Sequence, residues 1–207
     1  MPLQNRVTPW GTIVADPARG LFLGNRGCLC DAAGRLATRR WRLQAWITCA
    51  LSYKGWWRPV MQPAVWTELF FLDEATALAA GHRPCALCRR EAYNSFVAAW
   101  QQGNRLSERP RAVAIDKVMH NERVHRNRSK VTFACPVSEL PAGAMIEEGG
   151  VAWLLGETTM RPWSPAGYGQ SRQRPSGLAT VLTPASTVAA LRAGYQPVLH
   201  PSAAADT

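Results

Sequence analysis

The chain has 207 residues and a formal charge of +10, from 24 lysines and arginines against 14 acids. Nearly half of it is apolar (47%) and it holds nine tryptophans, which excludes a disordered chain and suits one well-buried domain, with or without a small appendage. No run reaches the ~18 apolar residues that cross a bilayer, and the N-terminus has no basic start followed by an apolar stretch, so a cytoplasmic protein with a polyanionic partner and no membrane association is expected.

Residues 10–23, WGTIVADPARGLFL, predict two short strands around an Asp-Pro-Ala-Arg-Gly turn, and residues 25–40 read as a loop with glycines on both sides of a cysteine pair. Over 43–62 a β-hairpin is expected. Trp46, Thr48, Ala50 and Ser52 alternate with Ile47, Cys49, Leu51 and Tyr53, and Lys54-Gly55 supplies a turn. VWTELFF (65–71) is a further strand. Asp73 then caps a short helix, EATALAA, that stops at Gly81. A second helix is expected from Cys85 to Gly103, with Leu87, Tyr93, Phe96, Val97 and Trp100 at three- and four-residue steps. A third follows Pro110 over residues 111–125. It would bury Val113, Ile115, Val118, Met119 and Val124, leaving Asp116, Lys117, His120 and Arg123 outside.

After Lys130 the pattern becomes short strands broken by proline and glycine, then a last strand LATVLT (178–183) and a helix Pro184–Ala193 stopped by Gly194. The sum is an α+β chain in three parts. Residues 1–104 form a small β-sheet or hairpin plus helices around a metal site. Residues 105–130, with eight basic residues against three acids, form a basic helical connector. Residues 131–207 form a small β-rich unit that ends in a helix.

Six cysteines (28, 30, 49, 85, 88 and 135) in a cytoplasmic chain are thiols or metal ligands rather than disulfides. Cys85 and Cys88 fall where a helix starts after Pro84. Unpaired N–H groups and the helix dipole stabilise thiolates there, and Arg83, Arg89 and Arg90 add positive charge. Their spacing fits metal ligation; a redox pair or a packed pair are the other readings. The redox reading is the weaker, because a short helix precedes the pair where a thioredoxin-like site has a strand.

ELFFLDEATALAAGHRPCALCRREA (68–92) resembles the second half of the Ada-type zinc-binding domain of bacterial methylphosphotriester repair proteins. The match runs through Phe70, Phe71, Ala79, Ala80, Gly81, Arg83, Pro84, Cys85, Cys88 and Arg89, with His82 in an aromatic slot, and covers about residues 45–93. The resemblance implies a four-thiolate Zn2+ site and a role near DNA repair or modification sensing, with one upstream cysteine as a methyl acceptor. The upstream strand offers Cys49 alone, with no second cysteine three or four residues away. The expected ligands are therefore Cys49, Cys85, Cys88 and Cys30, with Cys28, then His82, His120 and Cys135, as alternatives for the fourth.

Two other stretches carry candidate chemistry. In DKVMHNERVH, His120 and His125 lie five apart, about 140° round a helix, which rules out a zinc-hydrolase pair. Asp116 and His120 do share a face, so a carboxylate-oriented general base is conceivable there, beside the simpler reading of a solvated face. In RRWRLQAWITCALSYKGWWRP (39–59), Arg39, Arg40, Arg42, Lys54 and Arg58 suit phosphates. One of Trp56 and Trp57 should face outward, with Trp57 the stacking candidate, while Trp41, Trp46 and Trp66 are expected in the core. Arg89 and Arg90 extend this basic set. The expectation is a zinc-stabilised nucleic-acid-binding protein, with DNA ahead of RNA. Its rivals are a nucleic-acid-processing enzyme using Asp116 and His120, and a zinc-stiffened protein-interaction module.

Overall fold

Six short strands build the first sheet in the computed structural model, which describes residues 1–56 and 59–204. They are β1 (Gln4–Val7), β2 (Ile13–Ala15), β3 (Phe22–Asn25), β4 (Ile47–Ala50), β5 (Leu69–Phe71) and β6 (Arg83–Pro84), in the order β2-β1-β5-β3-β4-β6. The pairs β1–β5 and β4–β6 are parallel and the rest antiparallel, so the sheet is mixed. Gly24 lets β3 lie close against β4, because a Cβ there would sit 2.0 Å from the Ile47 carbonyl oxygen.

Among the described residues the expected hairpin over 43–62 does not form. β4 pairs with β3 and β6 instead, and after the left-handed turn at Lys54-Gly55 the chain carries Pro59 and Pro63, which cannot donate to a ladder. Trp57 and Arg58 lie outside the described residues.

Helix α1 (Glu74–Ala79) begins where Asp73 Oδ1 accepts the Thr76 N–H at 2.9 Å. It ends at Gly81 (φ +86°), with the Gly81 and His82 N–H groups donating to the Leu78 and Ala77 carbonyls. Helix α2 (Arg90–Gly103) starts later than expected. The Cys85 N–H is committed to the Thr48 carbonyl at 2.9 Å, so residues 86–89 turn rather than coil into the helix. Helix α3 (Ala112–Arg123) buries Ile115, Asp116, Met119 and Arg123. That corrects the expected faces: Val113 and Val118 are exposed, while Asp116 and Arg123 point inward. Asp116 is drawn in by a bidentate pair with Arg83 at 2.8 and 2.7 Å, and Arg123 by the Gly81 and Gln44 carbonyls.

The second sheet is antiparallel. It holds β7 (Phe133–Pro136), β8 (Met145–Glu148), β9 (Val151–Leu155), β10 (Thr159–Ser164), β11 (Gly167–Tyr168), β12 (Arg172–Gln173) and β13 (Leu178–Val181), ordered β11-β10-β9-β8-β13-β7 with β12 on β10. Helix α4 (Ala185–Arg192) follows. Among the described residues, two sheets and four α-helices make the α+β fold that the sequence predicts.

The cores cross the boundaries expected at 104/105 and 130/131. Phe96 and Trp100 of α2, Ile115 and Met119 of α3 and Val188 of α4 pack with Ile146 and Leu155 of the second sheet. Helix α1 is buried throughout and feeds all three clusters, with Leu78 in this one, Ala75 and Ala79 against Met145 and Leu154, and Ala77 beneath the first sheet. Its alanines are explained by that position, since a helix enclosed on every side has room only for small side chains.

Polar groups at its N-terminus tie the far end of the chain to it. Asp73 also accepts from Tyr168 Oη (2.8 Å) and the His200 N–H (3.1 Å), and Glu74 from Tyr195 Oη (2.6 Å), the Val198 N–H (3.0 Å) and Arg89 (2.9 Å). Asp73→Ala removes the cap and strands three more donors, the Thr76 and Tyr168 hydroxyls and the His200 N–H, so urea denaturation is expected to show a loss of roughly 3–5 kcal/mol. An unchanged midpoint would contradict this role.

Candidate metal centre and cationic pocket

The β4–β6 pairing brings three cysteines together. Ile47 and Thr48 face Arg83 and Pro84 in register, so Cys49, one residue further along β4, lies beside Cys85. The turn over 86–89 returns Cys88 to the same place. The three Sγ atoms lie within 4.8 Å of one another and could hold a metal ion. Cys85 is buried and the other two are half-buried.

The local electrostatics favour a thiolate at Cys85 alone of the three. Cys85 is pushed down to about 5, first by the hydrogen bond that Cys49 donates and then by the Cys88 and Leu87 N–H groups. The Leu87 N–H reaches Cys85 Sγ at 3.4 Å. Cys49 is raised by that same sharing with Cys85, and Cys88 is raised by burial. Without a cation the three sulfurs share protons; a soft divalent cation replaces them. Three sulfurs leave one position of a tetrahedral shell to another donor.

Cys30 does not supply it. Its Sγ rests 3.3 Å from Thr67 Oγ1 and 3.9 Å from Met61 Sδ, outside the cluster of three. The reason lies in its loop: the Leu29 N–H donates to Thr67 Oγ1 and Cys30 bridges to Leu36, which ties 28–36 to residues 61–67 rather than to β6. Cys28 lines a surface cavity of about 450 Å³ with Cys30. His82 is turned the other way and Cys135 sits on β7 of the second sheet. Among the described residues, no fourth cysteine, histidine or carboxylate joins the three.

The other end of the same pairing builds a second feature. The Trp46 carbonyl accepts the Arg83 N–H at 3.1 Å, which sets the Trp46 ring beside His82, 5.1 Å between centroids. Two guanidinium groups stack on that indole, Arg26 at 3.8 Å and Arg123 at 4.1 Å from its centroid. Arg26 donates to the Gly11 carbonyl (2.9 Å) and to His82 Nε2 (3.2 Å). Arg123 donates to the Gly81 carbonyl (2.7 Å), the Gln44 carbonyl and His120 Nδ1 (3.1 Å). Lys130 Nζ donates to the Ala79 carbonyl.

These three cations line a cavity of about 580 Å³ together with Trp10, Trp41 and Arg40, and among the described residues no carboxylate lines it. Burial, then mutual repulsion, lowers Arg26 well below the ordinary arginine range. Burial brings Lys130 down to about 7, with Arg26 and Arg123 adding to the effect, and it brings Arg123 to about 9 against the opposing field of Asp116. His82 is held neutral by burial and by Arg26. Thr38 and Arg128 belong to this cavity and to the neighbouring one, where Arg39 and Arg42 are added.

The other predicted residues divide. Arg39, Arg40 and Arg42 line the two cavities. Lys54 and Arg90 are exposed, and Trp56 is 69% exposed with its edge towards Tyr53. Arg89 faces inward, paired with Glu74 and stacked on Phe22, so it is not part of the exposed basic set. Asp116 and His120 do not act as a pair: the carboxylate is held by Arg83, and the imidazole packs on Trp41 and accepts from Arg123. Trp46 is buried as expected, Trp41 is half-buried, and Trp66 is more exposed at 38%.

Sequence reasoning missed Arg26, Arg123 and Lys130 as a unit. The basic run over 105–130 was the signal, but its residues read as a solvated face because nothing local shows that Gly81 and Gln44 offer carbonyls to Arg123. No family model, curated protein or solved structure matches the chain. Among the described residues no helix is long and apolar enough to cross a membrane.

Two predictions follow from this geometry. Serine at 49, 85 or 88 is expected to abolish metal binding in elemental analysis of purified protein, whereas Cys28→Ser and Cys30→Ser keep it at full stoichiometry; loss in Cys30→Ser would overturn the three-sulfur assignment. The second concerns pH. Lys130 titrates at about 7 in the fold against an ordinary 10.5, so its buried charge opposes folding fully below pH 7 and progressively less above it. Lys130→Met is therefore expected to raise the melting temperature more at about pH 6 than at about pH 10. An equal shift at both would contradict the burial of that charge.

Proposed function

We propose that the chain is a zinc-stabilised nucleic-acid-binding protein of the reducing cytoplasm, with DNA ahead of RNA as its partner. One observation carries the reading. Among the described residues, the two adjoining cavities are lined by seven cations (Arg26, Arg39, Arg40, Arg42, Arg123, Arg128 and Lys130) and by no carboxylate. Cationic cavities that share Thr38 and Arg128, one of them lined by indoles, suit a phosphate backbone and stacked bases, and favour single-stranded segments whose base faces are free.

Zinc is the cation that best suits three thiolates in a knuckle-like turn, because sulfur donors select a soft or borderline ion and zinc accepts tetrahedral geometry without redox chemistry. Its role is structural: it would fix the β4–β6 pairing from which the cationic pocket is built. All six cysteines are free thiols, which suits a reducing compartment. A place in repair or modification sensing rests on the Ada-type resemblance alone. The enzyme alternative draws no comparable support, since Asp116 is committed to Arg83.

Fluorescence anisotropy with labelled single- and double-stranded oligonucleotides tests the reading. Binding is expected at about 50 mM salt, weakening steeply as salt rises. The double variant Arg39→Gln/Arg42→Gln should bind more weakly and lower the log–log salt slope by roughly 1.5–2. Absence of binding to either form at about 50 mM salt would overturn it.

A further inference from the structure

Five cations line the inner cavity (Arg26, Arg40, Arg123, Arg128 and Lys130), and among the described residues no carboxylate lines it with them; the three deepest are Arg26, Arg123 and Lys130. Arg26 and Arg123 are 1% and 2% exposed. Burying a cation is costly unless an opposite charge is paired with it. Here the acceptors are backbone carbonyls and imidazole nitrogens, which fix the guanidinium groups in place but offset no charge. Asp116, whose field reaches Arg123, already has both oxygens on Arg83. Two donors remain without any partner, Nη2 of Arg26 and Nε of Arg123. A clamp that merely held Trp46 would need neither the third charge of Lys130 nor an open cavity in front of the three.

Building on the nucleic-acid reading above, we propose that this cavity binds the phosphomonoester of a nucleotide, with the phosphate between Arg26, Arg123 and Lys130 and the base against Trp10 and Trp41. The charge argues for a monoester. Three cations and two unfilled donors match a dianion with three free oxygens better than the single charge of a bridging diester. Depth argues the same way, because a group reaching the buried Arg26 need only enter the cavity, whereas a diester must also leave it. The volume, about 580 Å³, is in the range of pockets that enclose a small ligand. Half-buried Trp10 and Trp41 supply indole surface on its wall. The shared chemistry is a terminal phosphate, whether on a free nucleoside monophosphate or at a strand end.

Calorimetric and anisotropy titrations separate these sources. The probes are a nucleoside, its 5′-monophosphate, and one oligonucleotide carrying either a 5′-phosphate or a 5′-hydroxyl. The monophosphate is expected to bind at least about tenfold more tightly than the nucleoside, and the phosphorylated strand likewise over its hydroxyl form. Lys130→Met, which removes a buried charge and so should fold at least as well, is expected to erase most of that preference; Arg26→Gln should do so too if it folds. Equal binding of nucleoside and monophosphate, or an undiminished preference in Lys130→Met, would overturn the proposal. If both strand forms bind equally and the monophosphate does not bind, the phosphate pocket falls while the nucleic-acid reading stands. If the monophosphate binds and no strand does, the pocket stands and the strand reading falls.

Discussion

Two residues of β4 laid parallel against two residues of β6 organise both features of this molecule. The register Ile47–Arg83 and Thr48–Pro84 puts Cys49 next to Cys85 at one end and Trp46 next to His82 at the other. A two-residue parallel pair is weak by itself, because parallel ladders are slightly less stable per residue and Pro84 has no N–H to give. Its stability must come from what flanks it. On one side three thiols can be joined by a metal; on the other a buried indole is held between two guanidinium groups. Each flank therefore steadies the other through four backbone positions.

The cationic side is an energetic liability. Arg26, Arg123 and Lys130 repel one another, the two arginines are almost fully buried, and all three are shifted away from their charged forms. Their hydrogen bonds keep them in place without neutralising them. Natural folds keep such features chiefly at sites where a ligand supplies what the protein lacks, at some cost to the stability of the unliganded chain. Helix α1, enclosed between the two sheets and anchored through Asp73 and Glu74, helps bear that cost, since Gly81 and Ala79 at its C-terminal end provide the carbonyls that hold Arg123 and Lys130.

Much of this was legible in the sequence where the signals are local. The cap at Asp73, the stop at Gly81, the strand through Phe71 and the last helix before Gly194 obey short-range rules, and the structure has each of them. The C-x-x-C spacing makes Cys85 and Cys88 a candidate ligand pair, and the structure brings Cys49 of the upstream strand beside them. What could not be read depended on distant partners. The turn at Lys54-Gly55 looked like a hairpin because alternation alone does not reveal that β3 and β6 already occupy both edges of β4. Cys30 looked like a ligand because sequence distance hides the ties from its loop to Thr67 and Met61. Asp116 and Arg123 looked solvated because their partners, Arg83 and the Gly81 carbonyl, lie 33 and 42 residues away.

Hydrogen–deuterium exchange of the metal-loaded and metal-stripped protein tests the coupling between the two flanks most directly. The bound metal is expected to slow exchange of the Arg83 and Cys85 amides, which donate to Trp46 and Thr48, and to extend that protection through the Trp46–His82 stack to the Gly81 turn. Protection confined to Cys85–Cys88, with Arg83 and the Gly81 turn unchanged, would show that the metal centre and the cationic pocket are independent and would contradict the account.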